Sequence, residues 1–211
     1  MHTRRLAGRV AILAVVAALA LAGTGCDGGS KTTSASIGGP ATSEALPDSE
    51  TQAGVEPCTF AGTPEAKAGP VDTYVKLLTD VRVGSHGCYD RVTFEFRPQA
   101  GDPAGPIGYK VEYQQPPITE DGSGRQVDVK GAAFLAVRII GQGVDLTRED
   151  APATYTGPKT IESADTTRIQ QVRRTGDFEA VLTWVIGVDA RRPFSVSTQE
   201  NPTRLVIDIG D

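Results

Sequence analysis

From Val71 onward the chain alternates between apolar and polar residues with a period of two. Phe194, Val196 and Thr198 alternate with Ser195 and Ser197, the pattern of a half-buried strand. Leu205, Ile207 and Ile209 then alternate with Arg204, Val206 and Asp208. Asn201-Pro202 separates the two runs and signals a turn, because proline pre-sets φ and asparagine favours turn initiation. The pattern predicts a closing hairpin. Its Asp208, inside so apolar a strand, must face water or find a partner.

The same period predicts the strands upstream. Tyr74–Val83 leads into a Gly84-Ser85-His86-Gly87 turn, and Tyr89–Arg97 sets Val92, Phe94 and Phe96 against Arg91, Thr93, Glu95 and Arg97. Gly108–Gln115, Gln126–Val129 and Ala133–Ile140 follow, with a loop at Glu120–Gly124. Arg168–Thr175 and Phe178–Val188 predict a hairpin turning at Gly176-Asp177. Many short strands with Gly/Pro turns give an all-β fold, a β-sandwich of mostly antiparallel strands. Residues 142–166 are the exception, a long connection with weak periodicity and a predicted helical turn near Thr147–Ala151 capped by Thr147. An echo links Asp90–Phe96 with Thr203–Ile209: each sets an Arg before an alternating strand and an acid four residues later.

The run Asn201-Pro202-Thr203-Arg204-Leu205-Val206-Ile207-Asp208 resembles the closing strands of the AMIN domain family, which read aromatic-x-Val/Ile, then Asn-Pro-x-Arg-Leu-Val-Val/Ile-Asp. Residues 71–211 as a whole look like the divergent AMIN-like group of envelope lipoproteins. The resemblance implies a small β-sandwich in the cell envelope that contacts peptidoglycan or an associated glycan. It also implies a family role for Asn201, Pro202, Arg204 and Asp208. We read that role as structural: Arg204 and Asp208 lie about 13 Å apart along one strand, too far to pair, so each needs a partner on a neighbouring strand or loop.

The first 25 residues read as an export signal. Arg4, Arg5 and Arg9 precede an apolar run from Val10 to Ala22, too short for the about 20 residues a bilayer crossing needs. Ala22-Gly23-Thr24-Gly25-Cys26 then looks like a bacterial lipobox, which makes Cys26 the lipidated residue and anchors the protein to the outer face of the cell membrane. Gly23 departs from the usual leucine. Residues 26–70 carry Gly, Ser, Thr, Ala and Pro without an aliphatic pattern, the composition of a flexible tether. At about 5–6 Å × √n its reach is roughly 35–40 Å.

Without Arg4, Arg5 and Arg9, 18 basic residues face 26 acids. This acidic balance excludes nucleic acid as a partner and docking to anionic lipid, leaving the anchor as the membrane contact. With Cys26 lipidated, Cys58 and Cys88 are an even pair in an oxidising compartment and read as a disulfide; a zinc pair with His86 is the alternative.

The sequence offers little for catalysis. His86 is the sole imidazole outside the signal and sits in a Gly-rich turn, so no catalytic residue, metal or cofactor is expected. Trp184 shares its face with Leu182, Ile186 and Val188 and reads as core, whereas Tyr155, in the long connection, reads as the exposed aromatic. Arg168, Arg191 and Arg192 fall at one end of the predicted hairpin and, with Tyr155, are the candidate ligand-binding residues for a carboxylate or phosphate of the wall. The expected function is non-enzymatic binding of a cell-wall polymer. The alternatives are an adaptor that recruits a wall hydrolase or envelope protein through a sheet edge and, last, a hydrolase using His86.

Overall fold

A computed structural model describes residues 59–71 and 73–211. The described residues form ten strands: β1 (Lys67–Ala68), β2 (Lys76–Ser85), β3 (Tyr89–Pro98), β4 (Tyr109–Gln114), β5 (Ala133–Gln142), β6 (Thr160–Ile161), β7 (Ile169–Phe178), β8 (Val181–Val188), β9 (Phe194–Gln199) and β10 (Thr203–Gly210). Eight lie on the alternating segments, and two short ones, β1 and β6, lie outside them. One antiparallel layer has the order β2-β3-β10-β9 and the other β1-β4-β5-β8-β7-β6. A two-residue parallel pairing, Lys76 with Gly141 and Leu77 with Gln142, joins the layers at one corner.

Period-two alternation sends one set of side chains from each layer into the space between them. Val92, Phe94, Phe96, Leu205, Ile207 and Ile209 meet Leu135, Val137, Ile139, Leu182, Trp184 and Ile186 there. Phe94 lies edge-on to Trp184 across the interface, with ring centroids 5.6 Å apart, a favoured aromatic geometry. Trp184 is fully buried, as its strand pattern requires.

The structure moves several predicted features. No strand forms over 126–129. Val127 instead joins Ile118 and Val185 in a second small core, where the loop before β5 covers the outside of the second layer. The β7–β8 turn lies at Glu179-Ala180, three residues beyond Gly176-Asp177, because Gly176 serves a bulge inside β7. No helical turn forms at 147–151. Asp145 closes a local turn there instead: its Oδ1 accepts from Thr147 N at 3.2 Å and Thr147 Oγ1 at 2.5 Å.

The expected tether loses its last residues to the fold. Thr63 and Phe194 exchange backbone hydrogen bonds at 3.1 Å in both directions. The Phe60 ring lies so close to Gly210 that a Cβ there would come within 2.2 Å of it. Composition misread this segment because backbone pairing needs no apolar period, and one aromatic on one glycine supplies the anchor. Cys26, Cys58 and residues 1–58 generally, with the predicted signal and lipidation site, lie outside the described residues. No helix among the described residues is long and apolar enough to cross a membrane.

Candidate functional site

Arg168, Arg191 and Arg192 come together at the end of the sandwich where β7 and β9 begin and β8 and β10 finish. The Arg168 side chain is 11% exposed; its Nη2 donates to Asp211 Oδ2 at 2.6 Å, and its Nη1 lies 3.8 Å from Asp90 Oδ1. Arg192 grips Asp189 with two hydrogen bonds of 2.7 Å, from Nε and Nη2, and its Nη1 donates to Asp211. An alternating chain of charges therefore runs Asp90–Arg168–Asp211–Arg192–Asp189. Hydrogen bonds from Arg192 hold the Asp189 carboxyl below its usual range, and hydrogen bonds from Arg168 do the same for Asp211. Both arginines are neutralised by the protein's own carboxylates.

Asp90 closes the deep end of this chain. It is fully buried, and its Oδ2 accepts the backbone N–H groups of Thr167 at 3.0 Å, Arg168 at 2.6 Å and Ile169 at 3.0 Å. Asp90 thus pins the entry to β7 onto β3.

Arg191 differs. It has no ion pair among the described residues. Its guanidinium lies 4.6 Å from the centre of the Tyr113 ring, within cation–π range, and its Nη2 reaches Pro64 O at 3.5 Å. Tyr113 is fixed from behind: its hydroxyl donates to Arg192 O at 2.8 Å and accepts from Arg192 N at 2.9 Å. Burial pushes the Tyr113 phenol up from its ordinary pKa. Beside this pair opens a cavity of about 210 Å³ lined by Tyr113, Gln114, Gln115, Ala133, Phe134 and Arg191. It offers one cation, two side-chain amides and apolar walls.

The strand reading missed this cavity. Gln114-Gln115 followed directly by Pro116-Pro117 was its only local signal, and Phe134 and Arg191 arrive from elsewhere in the chain. Tyr155, expected to be exposed, is 6% exposed and packs edge-on against Trp184 at 5.8 Å. Its hydroxyl donates to Pro158 O at 2.8 Å. The long connection folds back over the core, and an aromatic ring there is worth more buried than wet. His86 is exposed and stacks on Tyr89 at 5.3 Å. Cys88 is disulfide-bonded, which removes its thiol as a zinc ligand.

The closing hairpin carries the outer face of the first layer. Arg204 Nε donates to Glu95 Oε2 at 2.8 Å, and Arg91 grips Asp208 from the neighbouring strand. The Asn201–Pro202 bond is cis, and Asn201 takes a left-handed conformation with φ 56°, which asparagine tolerates better than most residues. A polar ladder continues across four strands, from Asp80 and Arg82 through Glu95 and Arg204 to Gln199.

Compared with known families, residues 76–211 match the AMIN-like domain. This chain belongs to the AMIN-like domain family. No curated protein and no solved structure matches it. Membership gives an AMIN-like protein a cell-wall-associated role in the envelope, in a family whose domains are generally non-catalytic.

Proposed function

We propose that this protein is a non-enzymatic, lipid-anchored envelope protein whose AMIN-like domain binds a cell-wall polymer, peptidoglycan or an associated glycan, in the Arg191 cavity. Cys26 carries the anchor on the outer face of the cell membrane. The observation that carries the site is the state of its three arginines: Arg168 and Arg192 are committed to Asp189 and Asp211, while Arg191 stays exposed and forms no ion pair among the described residues, feeling only the Glu65 carboxylate at longer range. Arg191 meets an acidic group of the glycan, and the Gln114 and Gln115 amides meet hydroxyl or acylamino groups. Sedimentation with purified wall tests this. The protein co-sediments without other proteins, less so as salt rises, and Arg191→Ala lowers the bound fraction several-fold without lowering the melting temperature. Equal sedimentation of Arg191→Ala and wild type would move the site elsewhere.

One feature favours a protein partner as the second reading. Beyond the single bridge from Thr63 to Phe194, β9 pairs among the described residues with β10 alone. Thr63 exchanges outward hydrogen bonds with Phe194, so alternation leaves the N–H and C=O groups of Val196 and Thr198 facing outward too. Such an edge accepts an added strand. Wall binding that requires a co-purified protein would favour this reading.

A further inference from the structure

The other end of the sandwich carries features that the roles above do not use. Three non-glycine residues there adopt left-handed backbone: Ala151 at φ 36°, Glu179 at φ 50° and Ala180 at φ 61°. Glu179 and Ala180 are the two central residues of the tight β7–β8 turn, which requires positive φ at both; Ala151 stands outside any hairpin turn and is held there by its surroundings. Two large apolar side chains stand exposed beside them, Leu146 at 68% and Phe178 at 57%. β7 is bulged between Arg174 and Gly176, a device that re-aims side chains next to sites.

A cleft of about 370 Å³ opens over this bulge, lined among others by Asp121, Lys159, Arg174, Gly176, Asp177 and Phe178. A smaller one of about 190 Å³ shares Asp177 and reaches Leu146 and Glu179. Most charges in the larger cleft are spent. Arg125 binds both oxygens of Glu120, the shortest contact being 2.7 Å, and Arg174 Nη1 reaches Asp177 Oδ2 at 3.4 Å. Asp177 also accepts from Gly143 N at 3.2 Å. Asp121 and Lys159 remain, one anion and one cation with no ion pair among the described residues.

The Asp121 carboxylate is set in place by the bulge. Its backbone N donates to Thr175 O at 3.0 Å. The side chain lies so close over Gly176 that a Cβ there would come within 1.9 Å of Oδ2. Only glycine admits the carboxylate at that height.

From these observations we infer that the cleft binds a short peptide in its zwitterionic form, with the ammonium on Asp121, the carboxylate on Lys159 and an apolar side chain against Phe178. The site is separate from the Arg191 cavity and does not depend on it. The probe is the uncapped tripeptide alanyl-leucyl-alanine, titrated into the purified chain and followed by calorimetry and by the amide resonances of Gly176 and Phe178. Uncapped peptide binds saturably and shifts those resonances. N-acetylation or C-terminal amidation each weakens binding at least tenfold. Asp121→Asn removes the preference for a free amine, and Lys159→Gln removes the preference for a free carboxylate. Both changes lie on exposed side chains and leave the fold intact, whereas Gly176→Ala loses binding together with local packing. Arg191→Ala leaves the peptide affinity unchanged, so this site and the wall-binding site are read separately. Absence of saturable binding, or wild-type discrimination between capped and uncapped peptide in both exposed variants, overturns the inference.

Discussion

Asp208 accepts two hydrogen bonds from the guanidinium of Arg91, from Nε at 2.6 Å and from Nη2 at 2.9 Å. The two residues stand directly opposite each other in the β3–β10 register, and so do Glu95 and Arg204, with Thr93 and Val206 between the pairs. The echo between Asp90–Phe96 and Thr203–Ile209 thereby acquires a physical meaning. Each strand runs Arg then acid, and antiparallel pairing sets each Arg against the other's acid. The Asp208 side chain is 14% exposed, so the pair is shielded enough for bidentate geometry to count. Asp208→Ala is expected to cost about 1–3 kcal/mol in denaturant unfolding. A double-mutant cycle with Arg91→Ala should return a coupling of about 0.5–3 kcal/mol. Unchanged stability of Asp208→Ala with lost wall binding would make this hairpin a ligand site.

Asp90 ties the start of β7 to β3. Its one carboxylate oxygen takes three backbone N–H groups, and each buried donor left unpaired costs about 1–3 kcal/mol. Asp90→Ala is expected to lower the melting temperature by about ten degrees or more, given roughly 2–4 °C per kcal/mol for a domain of this size. Asp90→Asn keeps a carbonyl acceptor in place and recovers much of that loss. Thermal unfolding of the two variants side by side checks it; equal loss in both would mean that charge, not acceptance, matters.

The disulfide at Cys88 precedes β3 by one residue. We expect Cys58 as its partner, which peptide mapping without reductant reads directly as a cross-linked pair. A link between Cys88 and Cys26 in place of it would remove the lipidated anchor. Reduction is expected to cost about 3–4 kcal/mol from the closed-loop entropy of roughly 30 residues, seen as a lower unfolding midpoint.

Acid should weaken the outer ladder. Hydrogen bonds from Arg82, and next from Arg204, hold the Glu95 carboxyl below its ordinary range. A carboxylate depressed in the folded state contributes stability that is complete above its unfolded pKa, roughly 4.3, and lost as pH falls through the lower folded value. Asp189 and Asp211 act in the same direction. The melting temperature is therefore expected to hold between neutrality and about pH 5 and to drop below about pH 4. Glu95→Gln should lower it at neutral pH and flatten the acid limb. An acid limb of unchanged slope would contradict this.

Elements whose period is local follow from consecutive residues alone. Alternation is a property of consecutive side chains, so β3, β5, β9 and β10, the buried Trp184 and the all-β class were legible within a few residues of their ends. Turn chemistry was legible at Asn201-Pro202, where a strong local preference decides. It misled at Gly176, because a glycine that admits a bulge and the Asp121 carboxylate looks in sequence like a glycine that makes a turn.

Partnership between distant side chains came from the closed fold. Sequence grouped Arg168, Arg191 and Arg192 but could not show that carboxylates at 90, 189 and 211 would claim two of them. It required partners for Arg204 and Asp208 but not Glu95 and Arg91, more than a hundred residues away. It left Tyr155 outside because the connection that carries it has no period, yet that connection folds over Trp184. Burial of an alternating strand follows from its own side chains. Satisfaction of a charge depends on register between distant strands, and register is fixed only when the whole sandwich closes.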